Sequence, residues 1–276
     1  MDKHKRSRSL IIMFVAALAL LELSILTARE KEGMDIAEVM RDAVLHEKEK
    51  ISLFGMMDVN PSLISGFTVT AILLFIALLI RIFVIPKFKY VPGKFQIVLE
   101  TLVGYFSGMS KSHSPHRNTF LGVYTFCAGV YICLGTLFEL LGVQAVTVHG
   151  GSVALPAPLA DINGAIAIGC LSYLVILSGG IAENGAKGIG LTLKEFSLPV
   201  SMSFRLFGAL LSGLLVTELV YFDIRLSYLL PVVVAVLFTL IHALVQAYVL
   251  TLLTAIFYGE VSEHHEKQAK KRLKKA

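Results

Sequence analysis

Arg205 sits 11 residues after Lys194 and 18 before Asp223, inside an apolar stretch. That is near the middle of any helix crossing a bilayer at this point, with neither interface within reach. An arginine at such depth costs ~2.5–3.5 kcal/mol on insertion scales and more in simulations. A partner carboxylate on a neighbouring helix is one reason to keep it there; a fixed cation on an ion path is the other, and the better supported. Ser197, Ser201, Arg205, Ala209 and Gly213 recur every four residues. With Gly208 and Ser212 they make one helical face of small side chains. Small residues let a second helix come close, so Arg205 projects into a helix–helix contact.

Other polar groups fall within or beside apolar runs. Glu218 is 13 residues beyond Arg205, roughly 20 Å along a helix. Its plain reading is a carboxylate at the level of the outer headgroups. His242 and Gln246 stand one turn apart in the last apolar run. On antiparallel helices Gln246 and Arg205 come to comparable depth, and a hydrogen bond from Arg205 to Gln246 would hold the guanidinium without neutralising it. Glu139 and Asp161 border a polar loop, where an ion path and simple helix capping compete as explanations.

The elements that must position these residues follow from composition. The 276 residues are 55% hydrophobic and 16% charged, with mean hydropathy +0.74. Soluble domains carry about a quarter charged residues, so a soluble enzyme is excluded. Only 13 of the 164 residues from Phe95 to Tyr258 are Asp, Glu, Lys or Arg. The fold class is an all-α membrane protein. Five transmembrane helices are expected over 62–86, 119–142, 164–185, 194–222 and 228–258, with an interfacial helix over 95–110. The last two spans make a long tilted antiparallel hairpin. An extra N-terminal apolar segment, Leu10 to Leu26, follows Lys3, Lys5, Arg6 and Arg8. Residues 1–28 are therefore a signal peptide or an N-terminal anchor. Residues 29–61 form an extracytoplasmic polar segment, 62–258 the membrane domain and 259–276 a basic cytoplasmic tail.

Loop charges set the orientation. Arg81 to Lys94, Lys111, Arg117, Lys187, Lys194 and the tail group on one side, whereas residues 143–163 hold no Lys or Arg. The positive-inside rule assigns the first group, and the C-terminus, to the cytoplasm of a bacterial inner membrane. The net charge of +5 arises from these flanking clusters and implies no nucleic acid. His264 and His265 lie in the hydrophilic tail and read as solvated rather than metal-binding. Cys127, Cys133 and Cys170 sit in apolar stretches without a CxxC pattern, so no metal site or disulfide framework is expected. No cofactor is expected. No GxxxxGK or GxGxxG occurs, so this chain has no nucleotide site.

Four motifs carry a resemblance. Val91-Pro92-Gly93-Lys94-Phe95-Gln96, Ala160-Asp161-Ile162-Asn163, Ser203-Phe204-Arg205-Leu206-Phe207-Gly208 and Gln246-Ala247-Tyr248-Val249 resemble, in order and over about 59–262, subunit a of the F-type ATP synthase. The resemblance implies a stator abutting a membrane ring of c subunits, with two offset half-channels carrying H⁺ or Na⁺ to the ring carboxylates. It implies b-type peripheral stalk subunits as partners, membrane lipids around the chain, and the catalytic soluble sector as an indirect partner. It matches Arg205 to the essential arginine and Gln246 to the glutamine. Ser201 falls in the cytoplasmic half-channel, and Ser197, Gly208, Ala209, Ser212 and Gly213 on the ring-facing side.

The chain also departs from the family pattern. Ala209 stands where an asparagine is common, Leu214 where an acid is frequent, and Thr239 where a histidine is frequent. The outer half-channel is therefore expected to be wired through Glu218, His242, Asp161, Asn163 and Glu139. A stand-alone ion channel or secondary transporter is the alternative, but no internal repeat or filter-like loop supports it.

Overall fold

The computed structural model describes residues 50–53, 57–114, 118–148, 152–222 and 230–263, together with Val15, Ala19, Ala37 and Arg41. The expected signal or anchor segment, most of the polar segment before residue 50, the residues 223–229 and the tail beyond Glu263, with His264 and His265, lie outside them.

An antiparallel pair, β1 (Ile51–Leu53) and β2 (Met57–Val59), leads into α1 (Pro61–Leu79). Asn60 caps α1 by accepting the Ser62 N–H at 3.0 Å, and Pro61 fills the first turn, where no N–H partner is needed. A π turn (Ile80–Val84) and a 3-10 turn (Ile85–Lys87) extend the helix until Pro86, which has no N–H to continue it. Then come α2 (Lys94–His113), α3 (Asn118–Phe138) and a 3-10 turn that ends at Gly142, whose φ of 59° is left-handed. A second antiparallel pair, β3 (Gln144–Val146) and β4 (Ser152–Ala154), precedes α4 (Ile162–Asn184), α5 (Ala186–Lys194), α6 (Ser197–Phe222) and α7 (Leu230–Ser262).

Five stretches are long and apolar enough to cross a bilayer: Pro61–Lys87, Thr119–Leu141, Ile162–Asn184, Ser197–Thr217 and Val232–Ser262. They match the five expected spans. The interfacial helix is α2, which is not among them: it buries only Phe106 and Ser110. The 33 residues of α7 reach roughly 50 Å at 1.5 Å per residue, more than a ~30 Å core needs, which fits a tilted helix with an extended end.

Small residues rather than apolar bulk set the helix spacing, because lipid leaves no hydrophobic drive between helices. A methyl on Gly179 of α4 would meet the Tyr258 ring of α7 at 2.5 Å, and Tyr258 is 0% exposed. A methyl on Gly169 would run into Ser203 and lie 2.9 Å from the Pro199 carbonyl. Six buried hydroxyls are satisfied within their own helices: Thr125, Thr136, Ser172, Ser203, Thr251 and Thr254 each donate to the carbonyl four residues earlier. An unpaired hydroxyl in the membrane would cost several kcal/mol.

Three features differ from the sequence reading. The loop expected over 143–163 contains β3 and β4, followed by a buried run, residues 155–160. In that run Pro158 packs against Gly66, Gly135 and Gly164 of three helices. The stretch 186–194 is a separate helix, α5, entered through Gly185 at φ 56°. Gly188 packs on the Gly180 backbone, and Pro199 faces Gly169. Both pairings share one antiparallel register, so α5 and α6 form a single track along α4. The Tyr173 hydroxyl donates to the Thr192 carbonyl at 3.0 Å, so Lys194 ends α5 partway along the bundle rather than in an end loop. Finally, α7 continues through Gly259 to Ser262, into the expected tail, because Gly259 packs against the His113 carbonyl and Asn184 donates to the Val261 carbonyl at 2.8 Å.

Candidate functional site: the outward face of α6

Helix α6 has two faces of opposite character. Leu198, Met202, Leu206 and Leu210 recur every four residues and are 8%, 2%, 1% and 5% exposed. They pack into the core shared with α4 and α7. On the other side Ser197, Ser201, Arg205, Gly208 and Ser212 are exposed. Nothing lies within 4 Å of the position a Cβ would take on Gly208. The Ser212 hydroxyl donates to the Ala209 carbonyl at 2.8 Å, leaving that face without a side-chain contact of its own. Phe204, 62% exposed, flanks the stripe. Ala209 and Gly213, expected on the same face, are half-buried and turn towards α7.

Arg205 is exposed on this face, and among the described residues no ion pair or hydrogen bond engages it. Ser203, two residues earlier, packs against Gly169 inside α4. Arg205 therefore stands eight residues into α6 and level with the first turn of α4.

The α6–α7 register is fixed where a methyl on Gly213 would sit 3.4 Å from His242 Nδ1 and 4.0 Å from Phe238 Cβ. His242 is half-buried and stacks edge-on against Phe238, ring centroids 5.8 Å apart. Carried along the antiparallel pair, this register brings Gln246 level with the turn from Arg205 to Ala209, as the sequence implied. The expected Arg205–Gln246 hydrogen bond is nevertheless absent among the described residues. Gln246 is 8% exposed and lies on the core stripe of α7 with Ala243, Ala247 and Leu250, whereas Arg205 points outward. Rotation of α7, set by its packing, separates the two groups although their depth agrees. Glu218 lies in α6, five residues beyond Gly213; its side chain is outside the described residues.

The remaining polar groups gather at the end that carries both β pairs. Glu139, in the turn after α3, is half-buried and accepts the Ala157 backbone N–H. Asp161 occupies the N-cap position of α4 but makes no capping bond. Its Oδ1 accepts instead from Asn163 Nδ2 at 3.5 Å and Asn60 Nδ2 at 3.4 Å. Asp161 and Asn163 are thus brought together, while Glu139 is held separately. Asn60 was not singled out from the sequence. Its one local signal, an Asn-Pro pair opening an apolar run, reads only as a helix cap. Among the described residues no group of three His, Cys, Asp or Glu could hold a metal ion.

An exposed, unpaired arginine on a small-residue face can attract a carboxylate presented by a second protein. A polar cluster at one end of the spans can admit ions. The family model described as ATP synthase A chain matches residues 65–259. The chain belongs to that family, F-type ATP synthase subunit a, and is a multi-pass membrane subunit of an ATP synthase complex with a role in ion translocation.

Proposed function

We infer that this chain is the stator of a rotary F-type ATP synthase and that Arg205 is its fixed counter-charge. The observation that carries the reading is the outward, unpartnered position of Arg205 on a face of small residues. Ser197, Ser201, Gly208 and Ser212 leave room for the helices of a c-subunit ring. Arginine stays protonated at any reachable pH, so it draws a ring carboxylate without carrying protons itself. At 4 Å and an effective dielectric near 20 the attraction is about 4 kcal/mol. One elementary charge falling through 100 mV gains ~2.3 kcal/mol. These are comparable, so the arginine displaces the ion from a passing carboxylate without trapping the ring, and its fixed charge blocks a leak between half-channels.

In this reading the outer half-channel draws on Asp161, Asn163, Glu139, Glu218 and His242, and the cytoplasmic one opens beside Ser201. Gln246 borders the meeting point from the core side. Asp161, Asn163 and Glu139 support an outer entrance because they collect at the end where residues 143–163 carry no Lys or Arg. The positive-inside rule orients that end outward and the C-terminus to the cytoplasm of a bacterial inner membrane. A b-type peripheral stalk links the chain to the soluble catalytic sector.

Site-directed cross-linking tests the reading. Cysteine placed at Gly208 or Ser201 should cross-link to a c subunit in the assembled complex, whereas cysteine at Met202, 2% exposed, should not. Equal labelling of all three, or a complex that purifies without a c-ring, would overturn it and favour a stand-alone channel.

A further inference from the structure

We propose that Asn60 is a positioning residue for the ion path: fixed by the β1–β2 hairpin, its amide holds the Asp161 carboxylate as a charged, cation-collecting group at the mouth of the outer half-channel. The inference rests on the half-channel reading above and adds a residue outside the family-matched stretch 65–259.

The orientation of the Asn60 amide is determined by its neighbours. Asn60 Oδ1 accepts the Ser62 backbone N–H at 3.0 Å, and an amide nitrogen could not take that place. Nδ2 is therefore the end that faces Asp161 Oδ1, 3.4 Å away across 101 residues of sequence. Asn163 Nδ2 reaches the same oxygen at 3.5 Å. Two neutral donors meet on one carboxylate oxygen and leave Oδ2 free of protein donors among the described residues. Asp161 stands where a helix N-cap would be, yet it makes no capping bond. Its carboxylate is thus not spent on the helix, and it is half-exposed.

The hairpin holds Asn60 in turn. Ile51 and Val59, opposite each other in the β1–β2 ladder, are 7% and 8% exposed. Ile51 packs with Val69, Phe138 and Leu155, residues of α1, α3 and the buried run after β4. The Lys50 carbonyl accepts the Val148 N–H at 3.1 Å, tying the segment before β1 to the β3–β4 hairpin. A fixed anion at a channel mouth raises the local cation concentration, so this arrangement acts on ion capture and not on the turnover of a captured ion.

Two substitutions separate this role from helix capping, because serine and aspartate both cap as well as asparagine. Asn60→Ser keeps the cap and removes the donor; Asn60→Asp keeps the cap and sets a second carboxylate against the first. ATP synthesis is measured in proteoliposomes of the whole complex against the concentration of driving ion on the outer side. Asn60→Ser should raise the half-saturating concentration about threefold to tenfold, the effect of losing one ordinary hydrogen bond, with the maximal rate within about twofold of the parent. Asp161→Asn should raise it at least as much, and Asn60→Ser should then add nothing, since contacting residues couple in such a cycle. Asn60→Asp should change half-saturation without lowering the amount of assembled complex. An unchanged half-saturation in Asn60→Ser, equal increments in both backgrounds, or a loss confined to maximal rate or assembly would overturn the proposal. Arg205→Ala in the same assay reports on the stator reading separately. If it abolishes synthesis while Asp161→Asn has no effect, the stator stands and the role of Asn60 falls.

Discussion

Gly208 offers a perturbation whose effects on the chain and on the complex run in opposite directions. No atom lies within 4 Å of the position its Cβ would occupy, and it sits in the interior of α6. Within the chain alone, Gly208→Ala introduces no clash and removes the backbone entropy that glycine loses in a helix. It should stabilise the isolated subunit by about 0.5–1 kcal/mol. In the stator reading the same position faces the ring, where a small residue permits close approach of helices. A larger side chain must push that contact apart, and overpacking costs about 1–3 kcal/mol. Gly208→Leu should therefore lower ion-driven ATP synthesis by about tenfold or more, since 1.4 kcal/mol is a factor of ten. Thermal unfolding of the purified subunit in detergent checks the first effect. Synthesis in membrane vesicles, normalised to assembled complex, checks the second. Parental synthesis with Gly208→Leu, or an isolated subunit destabilised by Gly208→Ala, would refute the reasoning.

The same structure makes two further predictions. Gly179→Ala puts a methyl 2.5 Å from the fully buried Tyr258 ring, so the unfolding temperature of the purified subunit should fall with a loss of about 1–3 kcal/mol; an unchanged temperature would contradict the α4–α7 approach. Glu218→Gln should slow ion-driven rotation while ATP hydrolysis by the detached soluble sector stays unchanged. Unimpaired transport, with Leu214→Glu adding nothing, would remove Glu218 from the outer half-channel.

The spans were legible because each is a long run nearly free of charge, and hydropathy alone reads such runs. The α6 face was legible in part: helical spacing groups Ser197, Ser201, Arg205, Gly208 and Ser212, but a strict four-residue series drifts around the helix and carries Ala209 and Gly213 towards α7. What escaped the sequence depends on contacts between distant segments. The rotation of α7 that buries Gln246 is set by Ala243, Ala247 and Tyr258 against α4 and its neighbours, and no pattern within α7 distinguishes that rotation from one facing Arg205. The contact between Asn60 and Asp161 spans 101 residues and leaves only an Asn-Pro pair as its local trace. The strands β3 and β4 are three residues each, too short for alternation to register. The turn from α4 into α5 follows from Gly185 at φ 56° and the backbone approach of Gly180 and Gly188, which small residues permit but do not announce.

The central claim is that the exposed charge of Arg205 couples ion flow to rotation. Its most direct test is the rate of ATP synthesis driven by an imposed ion gradient in vesicles containing fully assembled complex with Arg205→Ala. Because Arg205 makes no ion pair or hydrogen bond with the rest of the chain among the described residues, assembly and ATP hydrolysis by the soluble sector should persist. Synthesis should be abolished, and Arg205→Lys should not restore it, since a compact ammonium on a different reach does not replace the guanidinium fork. Synthesis at the parental rate in Arg205→Ala vesicles would contradict the account.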